Sequence, residues 1–152
     1  MTRKSLYSPE TYQEVLNRID QLSADTRPEW GKMNAAQMMA HCTAVQKVIN
    51  GEEELKGTPF IAKLFKGMIR KVVVGDKPFS RGIRTHPQYL PASDSEFEAE
   101  KKELKLALER FIKMDQENRT LPDHPLFGTL SKDESGWSVY KHLDHHLTQF
   151  RV

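Results

Sequence analysis

The sequence predicts an all-α protein that folds as a four-helix bundle with a long crossover between the second and third main helices. Apolar residues recur at three- and four-residue spacing in four long segments, which is the period of an amphipathic helix. Residues that cap helices stand at the start of these segments. At 152 residues the chain has the size of one ordinary domain, so residues 1–152 are assigned to a single domain.

The first two helices are predicted from their starts and their apolar faces. Ser8 before Pro9 is a typical helix start, because proline lacks the N–H that would be unpaired there. Asn34 opens the second helix, with Gln37 placed to complete a capping box, and this helix is expected to run to about Gly51. The predicted apolar stripes are Tyr12, Val15, Leu16, Ile19 and Leu22 in the first helix, and Met38, Cys42, Val45, Val48 and Ile49 in the second.

Residues 51–93 form the predicted crossover, which is rich in glycine and proline. One short amphipathic helix is expected to start at Thr58 and Pro59. Its predicted apolar side consists of Phe60, Ile61, Leu64, Phe65, Met68 and Ile69. The three valines at 72–74 favour a short extended piece, but a single such run cannot form a sheet.

The last two main helices also begin at capping signals. Ser95 and Glu98 form an S-x-x-E capping box, and Ser131 with Glu134 is placed to cap the final helix. The third main helix carries the stripe Phe97, Leu104, Leu108, Phe111 and Ile112, and the final helix carries Trp137, Tyr140, Leu143, Leu147 and Phe150.

Two histidines of the final helix stand four residues apart and therefore share one face of it. His142 and His146 fall at the edge of the apolar stripe, where a site can meet both core and solvent. Neighbouring helical turns lie about 5.4 Å apart, so both rings can converge on one metal ion. His145 points elsewhere. His41 lies inside the apolar arc of the second helix.

Composition and missing motifs remove several classes of function. Lys and Arg number 23 against 21 Asp and Glu, and a net charge of +2 argues against a nucleic-acid partner. The one cysteine, Cys42, excludes an internal disulfide and favours a reducing compartment. No signal-like or membrane-spanning apolar run is present, so a cytoplasmic protein with no membrane partner is expected. Motifs for nucleotide binding, serine hydrolysis and di-iron carboxylate sites are missing.

Three stretches resemble the DinB/YfiT-like superfamily of metalloenzymes, and in particular an uncharacterised domain-of-unknown-function branch of it. They are P-x-W-G-K-M-N-A-A-Q-M-M-A-H at 28–41, H-P-L-F-G-T-L-S at 124–131 and the final helix W-S-V-Y-K-H-L-D-H-H-L-T-Q-F. The resemblance spans nearly the whole chain. It implies a four-helix bundle whose divalent metal is bound by His41, His142 and His146, with His145 outside the metal's ligands.

The same resemblance implies a cofactor and a type of chemistry. Zinc and nickel suit imidazole ligands best, and iron is also compatible with them. Three imidazoles leave a coordination position open for water or substrate, as in catalytic sites. Relatives include thiol-dependent transferases and isomerases, so a small-molecule substrate, a low-molecular-weight thiol and a homodimer are expected.

Two classes of function are compatible with these residues. The protein is either a metal-dependent transferase or hydrolase, or a non-catalytic bundle that serves as an oligomeric interaction module. Cys42 is expected to be a core residue rather than a nucleophile. His86 and His124 precede prolines in loops, where hydrogen bonds that fix turns are expected. Asp144 is expected to have an ordinary solvated or packing role, with orientation of a neighbouring ring or pairing with Lys141 as the alternatives.

Overall fold

The structure is a computed structural model that describes residues 3–58, 60 and 64–152. In these ranges the α-helices are α1 (Pro9–Asp20), α2 (Ala35–Ile49), α3 (Lys66–Val74), α4 (Phe97–Gln116) and α5 (Lys132–Gln149), with a 3₁₀ turn, η1, at Pro87–Tyr89. No strand forms among these residues, which contain one isolated antiparallel bridge between His124 and Gly128. The all-α prediction is confirmed. None of the described helices is both long and apolar enough to cross a membrane.

Three of the predicted helix starts are confirmed in atomic detail. The Ser8 hydroxyl accepts a hydrogen bond from the Thr11 N–H at the start of α1. The two capping boxes, Asn34 with Gln37 and Ser131 with Glu134, are complete in both directions. These bonds satisfy amide groups that have no partner inside the helix.

The start predicted for the third main helix is wrong by one residue. Glu96, not Ser95, is the residue that caps α4, because its carboxylate accepts the Ala99 N–H at 2.9 Å. The Ser95 hydroxyl instead donates to the carbonyl of Ala92. A carboxylate at this position also interacts favourably with the positive end of the helix dipole.

The core lies where the apolar stripes of α1, α2, α4 and α5 meet. Helix α2 packs along α4, and α5 lies against α1, α2 and α3. The amino-terminal segment closes one side of this core through Leu6, whose N–H donates to the Gly136 carbonyl at 3.0 Å. Large side chains that are almost completely buried here include Ile19, Met38, Leu104, Phe111, Trp137 and Phe150.

The crossover between Ile49 and Phe97 differs from its prediction in two respects. The valines at 72–74 belong to α3 and are helical, not extended. Of the helix start predicted at Thr58 and Pro59, Pro59 lies outside the described residues, as do residues 61–63. Four described residues of the predicted apolar side are largely exposed: Phe60, Leu64, Phe65 and Met68, at 75%, 68%, 48% and 60%.

Polar contacts, not apolar burial, hold α3 against the body of the protein. Nη2 of Arg70 forms an ion pair with Glu134 and lies 2.7 Å from each of the two carboxylate oxygens. At the other end of α3, the buried Lys141 ammonium donates to the carbonyls of Val72 and Gly75 at 2.7 and 2.8 Å. A cation suits this position because the carboxyl end of a helix carries partial negative charge and unpaired carbonyls.

Candidate metal centre

Helices α2 and α5 bring three histidines together although they are far apart in sequence. His41 comes from α2, and His142 and His146 lie on successive turns of α5. Potential ligand atoms of the three side chains all lie within 4.8 Å of one another. Nε2 of His41 and Nε2 of His142 are 3.2 Å apart. The residues predicted as a site from the sequence thus form one cluster.

His41 is held in one orientation by the crossover. Its Nδ1 lies 2.9 Å from the backbone carbonyl of Tyr89, which belongs to η1. A carbonyl oxygen can only accept, so Nδ1 of His41 carries the proton in the neutral ring. Nε2 is therefore left with its lone pair, and this atom faces the other two histidines. A hydrogen bond of this kind is a common support for a metal-binding histidine.

His146 is oriented by a chain of two hydrogen bonds. Its Nδ1 lies 3.0 Å from Oε1 of Gln149, and Nε2 of Gln149 donates to the Trp30 carbonyl at 2.5 Å. The Trp30 carbonyl can only accept, so the amide nitrogen of Gln149 must face it and the amide oxygen must face His146. Nδ1 of His146 is therefore the donor to that oxygen. Gly31, with φ at 85°, lets the loop pass close to Gln149, since a Cβ there would lie 2.6 Å from the amide nitrogen.

His142 lies at the solvent-facing side of the cluster. It is partly exposed, whereas His41 and His146 are buried. Since neutral His41 offers only an acceptor at Nε2, His142 donates its Nε2–H across the 3.2 Å contact in the absence of a metal. The cluster therefore borders both core and solvent, as the position of the pair on the helix predicts.

Burial keeps all three rings neutral at neutral pH. It lowers the pKa of His41 below 6.5, although the Tyr89 carbonyl bond partly opposes this effect. Burial, and then the neighbouring histidines, hold the pKa of His142 well below its ordinary value. Burial and the nearby His41 lower the pKa of His146 to about 3. Neutral imidazole is the form that binds metals.

The donor set fits a divalent ion. Two nitrogens bound to one Zn²⁺ at about 2.0–2.1 Å and a tetrahedral angle lie about 3.3 Å apart. The Nε2 atoms of His41 and His142 already have a separation close to this, 3.2 Å. All the ligand atoms lie within 4.8 Å of one another, so the widest pair is at most about 1.5 Å beyond this separation. The three histidines could hold a metal ion.

The remaining histidines have other surroundings. His145 stays outside the cluster and lines a neighbouring cavity with Trp30 and Phe79. His86 and His124 fix turns, as predicted: Nδ1 of His86 accepts the Gln88 N–H, and Nδ1 of His124 accepts the Leu126 N–H, both at 3.2 Å.

The two other side chains considered from the sequence also have clear positions. Cys42 is buried in the apolar core, and burial raises the pKa of its thiol, so the core assignment is confirmed. The suggested pairing of Asp144 with Lys141 is wrong. Asp144 pairs with Arg18 at 2.8 Å, because α1 packs beside α5 and presents the guanidinium there.

Sequence reasoning missed the residues that orient the ligand rings. Gln149 follows His146 by three residues on the same helix, so the helical period places it next to that ring and could have identified it. Tyr89 and Trp30 lie outside the main helices and act through backbone carbonyls. Any residue type supplies a carbonyl, so no sequence signal distinguishes them.

A family described as "Protein of unknown function (DUF1569)" matches residues 1–152. The chain belongs to the DUF1569 family. All three clustered histidines, together with Tyr89 and Gln149, lie within the part of this DUF1569 chain that matches. No curated protein and no solved structure matches the chain. The family description names no activity, so the chemistry of the site is the basis for a function.

Proposed function

We propose that this DUF1569 protein is a four-helix bundle of the DinB/YfiT-like type whose three histidines bind one divalent metal, and that it is a metal-dependent transferase or hydrolase. Zinc or nickel is the preferred metal, and iron is compatible with the same ligands. The proposal includes a small-molecule substrate, with a low-molecular-weight thiol as a co-substrate, and a cytoplasmic homodimer.

The convergence of the ligand atoms of His41, His142 and His146 within 4.8 Å is the observation that carries the proposal. The three residues span more than 100 positions of the chain and meet only through folding. Hydrogen bonds from Nδ1 orient the rings of His41 and His146 and leave the lone pair on Nε2, which is the arrangement of ligand histidines in metal sites.

The surroundings of the cluster support an open site rather than a closed one. Three neutral ligands leave a divalent ion with a coordination position for water or substrate, and with its full charge. A metal in such a site supplies Lewis acidity and lowers the pKa of a bound water or thiol. His142 is partly exposed, so a small molecule can reach the cluster from this side. His41 and His146, both buried, hold the other side against the core.

The alternative is a non-catalytic bundle that serves as an oligomeric interaction module. One observation favours it: the 3.2 Å contact between the Nε2 atoms of His41 and His142 is a satisfied hydrogen bond without any ion. In that case the histidines act as polar core residues, or the ion only stabilises the fold.

Metal analysis of the untagged protein separates these functions. The purified protein is loaded separately with zinc, nickel and ferrous iron, desalted, and assayed for bound metal, thermal unfolding and helical circular dichroism. His142→Ala is the test variant, because its partial exposure limits the packing that is lost. His145→Ala is the matched control, since it removes a neighbouring imidazole on the same helix from outside the cluster.

The proposal predicts about one metal per chain in the wild type and in His145→Ala, and much less in His142→Ala with the helical signal kept. Loss of helical structure together with the metal in His142→Ala would favour a structural ion. No binding of any of the three metals to the wild-type protein would overturn the metal site and leave the interaction module.

A further inference from the structure

A cavity of about 340 Å³ lies beside the histidine cluster. Its walls come from three regions of the chain: Trp30 of the α1–α2 loop, residues 78–81 after α3, and the face of α5 that carries His145. The volume is within the range of small-molecule sites, which is about 300–1,000 Å³. The flat apolar walls, Trp30 and Phe79, and several charged groups meet in the same space.

The charges on the cavity walls add up to a positive site. Asp144 is the one carboxylate among its described lining residues, and Arg18 neutralises it at 2.8 Å. The Lys141 ammonium lies 4.4 Å from the centre of the Phe79 ring and bonds only to backbone carbonyls. The Arg81 guanidinium stacks 4.1 Å over the Trp30 ring, and no described carboxylate lies within 4.0 Å of it.

From this arrangement we propose that the cavity binds the oxyanion of a small molecule, with Arg81 as the binding residue and the Trp30 and Phe79 rings holding an adjoining flat or apolar group. A guanidinium offers paired N–H donors that match carboxylate and phosphate oxygens. Its stacking on Trp30 limits its motion before the ligand arrives. Both Lys141 and Arg81 attract the anion.

The position of the cavity makes it a substrate-recognition subsite of the proposed metal centre, so this assignment rests on the proposed function. The Phe79 ring centre is 6.4 Å from that of His142 and 5.9 Å from that of His145. The Trp30 carbonyl also supports His146 through Gln149. Two residues of the cavity wall, Phe79 and Trp30, therefore also contact or support residues of the cluster, and the cavity adjoins the cluster on this side.

The test uses the full-length protein freed of metal with a chelator, and three probes of similar shape. Benzoate and phenyl phosphate carry an oxyanion on an aromatic ring, whereas benzamide is neutral. Binding is measured by calorimetry and by the change in tryptophan fluorescence, to which Trp30 in the cavity wall and the buried Trp137 both contribute. Arg81→Gln is compared with Arg84→Gln, which removes the same charge from an exposed residue of the same segment outside the cavity wall. Circular dichroism confirms that both variants stay folded.

We expect at least one of the two anions to bind, and benzamide to bind much more weakly. Arg81→Gln should weaken anion binding about tenfold or more, the usual effect of removing a charge-assisted contact, while Arg84→Gln has little effect. Binding of phenyl phosphate alone assigns the cavity to phosphates, and preference for benzoate assigns it to carboxylates. Failure of both anions to bind, equal binding of benzamide, or equal losses in the two variants would overturn the proposal.

The metal is measured separately, so the two proposals can fail independently. Anion binding to metal-free protein that also never takes up metal would retain the cavity site and remove the metal centre. Metal uptake without anion binding would retain the metal centre and remove the cavity site.

Discussion

Replacing His124 with glutamine should make the stability of the protein less sensitive to acid. The ring of His124 is buried, stacked on Phe127 with ring centres 3.7 Å apart. Its Nδ1 accepts the Leu126 N–H, so the neutral ring carries its proton on Nε2, which donates to the Tyr89 hydroxyl at 3.2 Å. Burial, with smaller effects of Lys66 and His86, lowers the pKa of His124 from 6.5 to about 4.

The sign and size of the effect follow from the two pKa values. Above pH 6.5 the ring is neutral in both the folded and the unfolded chain, so it adds no pH dependence. Between 6.5 and about 4 the unfolded chain binds a proton that the folded ring does not bind, so the free energy of unfolding falls as the pH falls. The full interval corresponds to about 3 kcal/mol, of which about 2 kcal/mol falls between pH 7 and pH 5.

Urea unfolding of the metal-free protein, followed by circular dichroism, measures this contribution. The wild type should lose about 2 kcal/mol more than His124→Gln between pH 7 and pH 5. Glutamine retains a donor near the Tyr89 hydroxyl. A loss of packing that does not depend on pH lowers the free energy of unfolding of His124→Gln equally at both pH values, so it does not affect the difference between them. The three clustered histidines also titrate, but equally in both proteins. Equal losses of stability in the two proteins would refute the neutral buried state of His124.

Two further predictions concern the site and the core. Gln149→Met removes the acceptor that orients His146 and should weaken metal binding about 10- to 100-fold in a competition assay with a chelating dye; unchanged affinity would show that this hydrogen bond does not support the ligand. The Cys42 thiol is buried and its pKa is raised, so it should react with a thiol reagent such as iodoacetamide at pH 8 only after unfolding in urea. Rapid labelling of the folded protein would contradict this packing.

The apolar period and the capping residues were enough to predict α1, α2, α4 and α5, because both act within a few residues along the chain. Ser8, Asn34 and Ser131 cap helices as expected. The error at Ser95 arose because the adjacent Glu96 also offers a capping oxygen, and the helix begins one residue later, with the Ala99 N–H bonded to Glu96. The face shared by His142 and His146 follows from helical geometry alone.

The crossover was less predictable, since its conformation depends on distant partners. Residues 72–74 favour a strand by composition but are helical, and ionic contacts such as that between Arg70 and Glu134 hold α3 in place. Four side chains of the predicted apolar side, Phe60, Leu64, Phe65 and Met68, are exposed, because periodicity indicates an amphipathic helix without indicating what covers its apolar face.

The sequence by itself thus determined the helices and the pair of histidines on one of them, since those features depend on spacing within a single helix. Only the tertiary structure decided that His41, 101 residues before His142, meets that pair, and that the Tyr89 and Trp30 carbonyls support the rings. It also decided that Arg81 and Lys141 face one cavity. These contacts join residues from separate elements, and their distances are set by packing across the core, which no local pattern encodes.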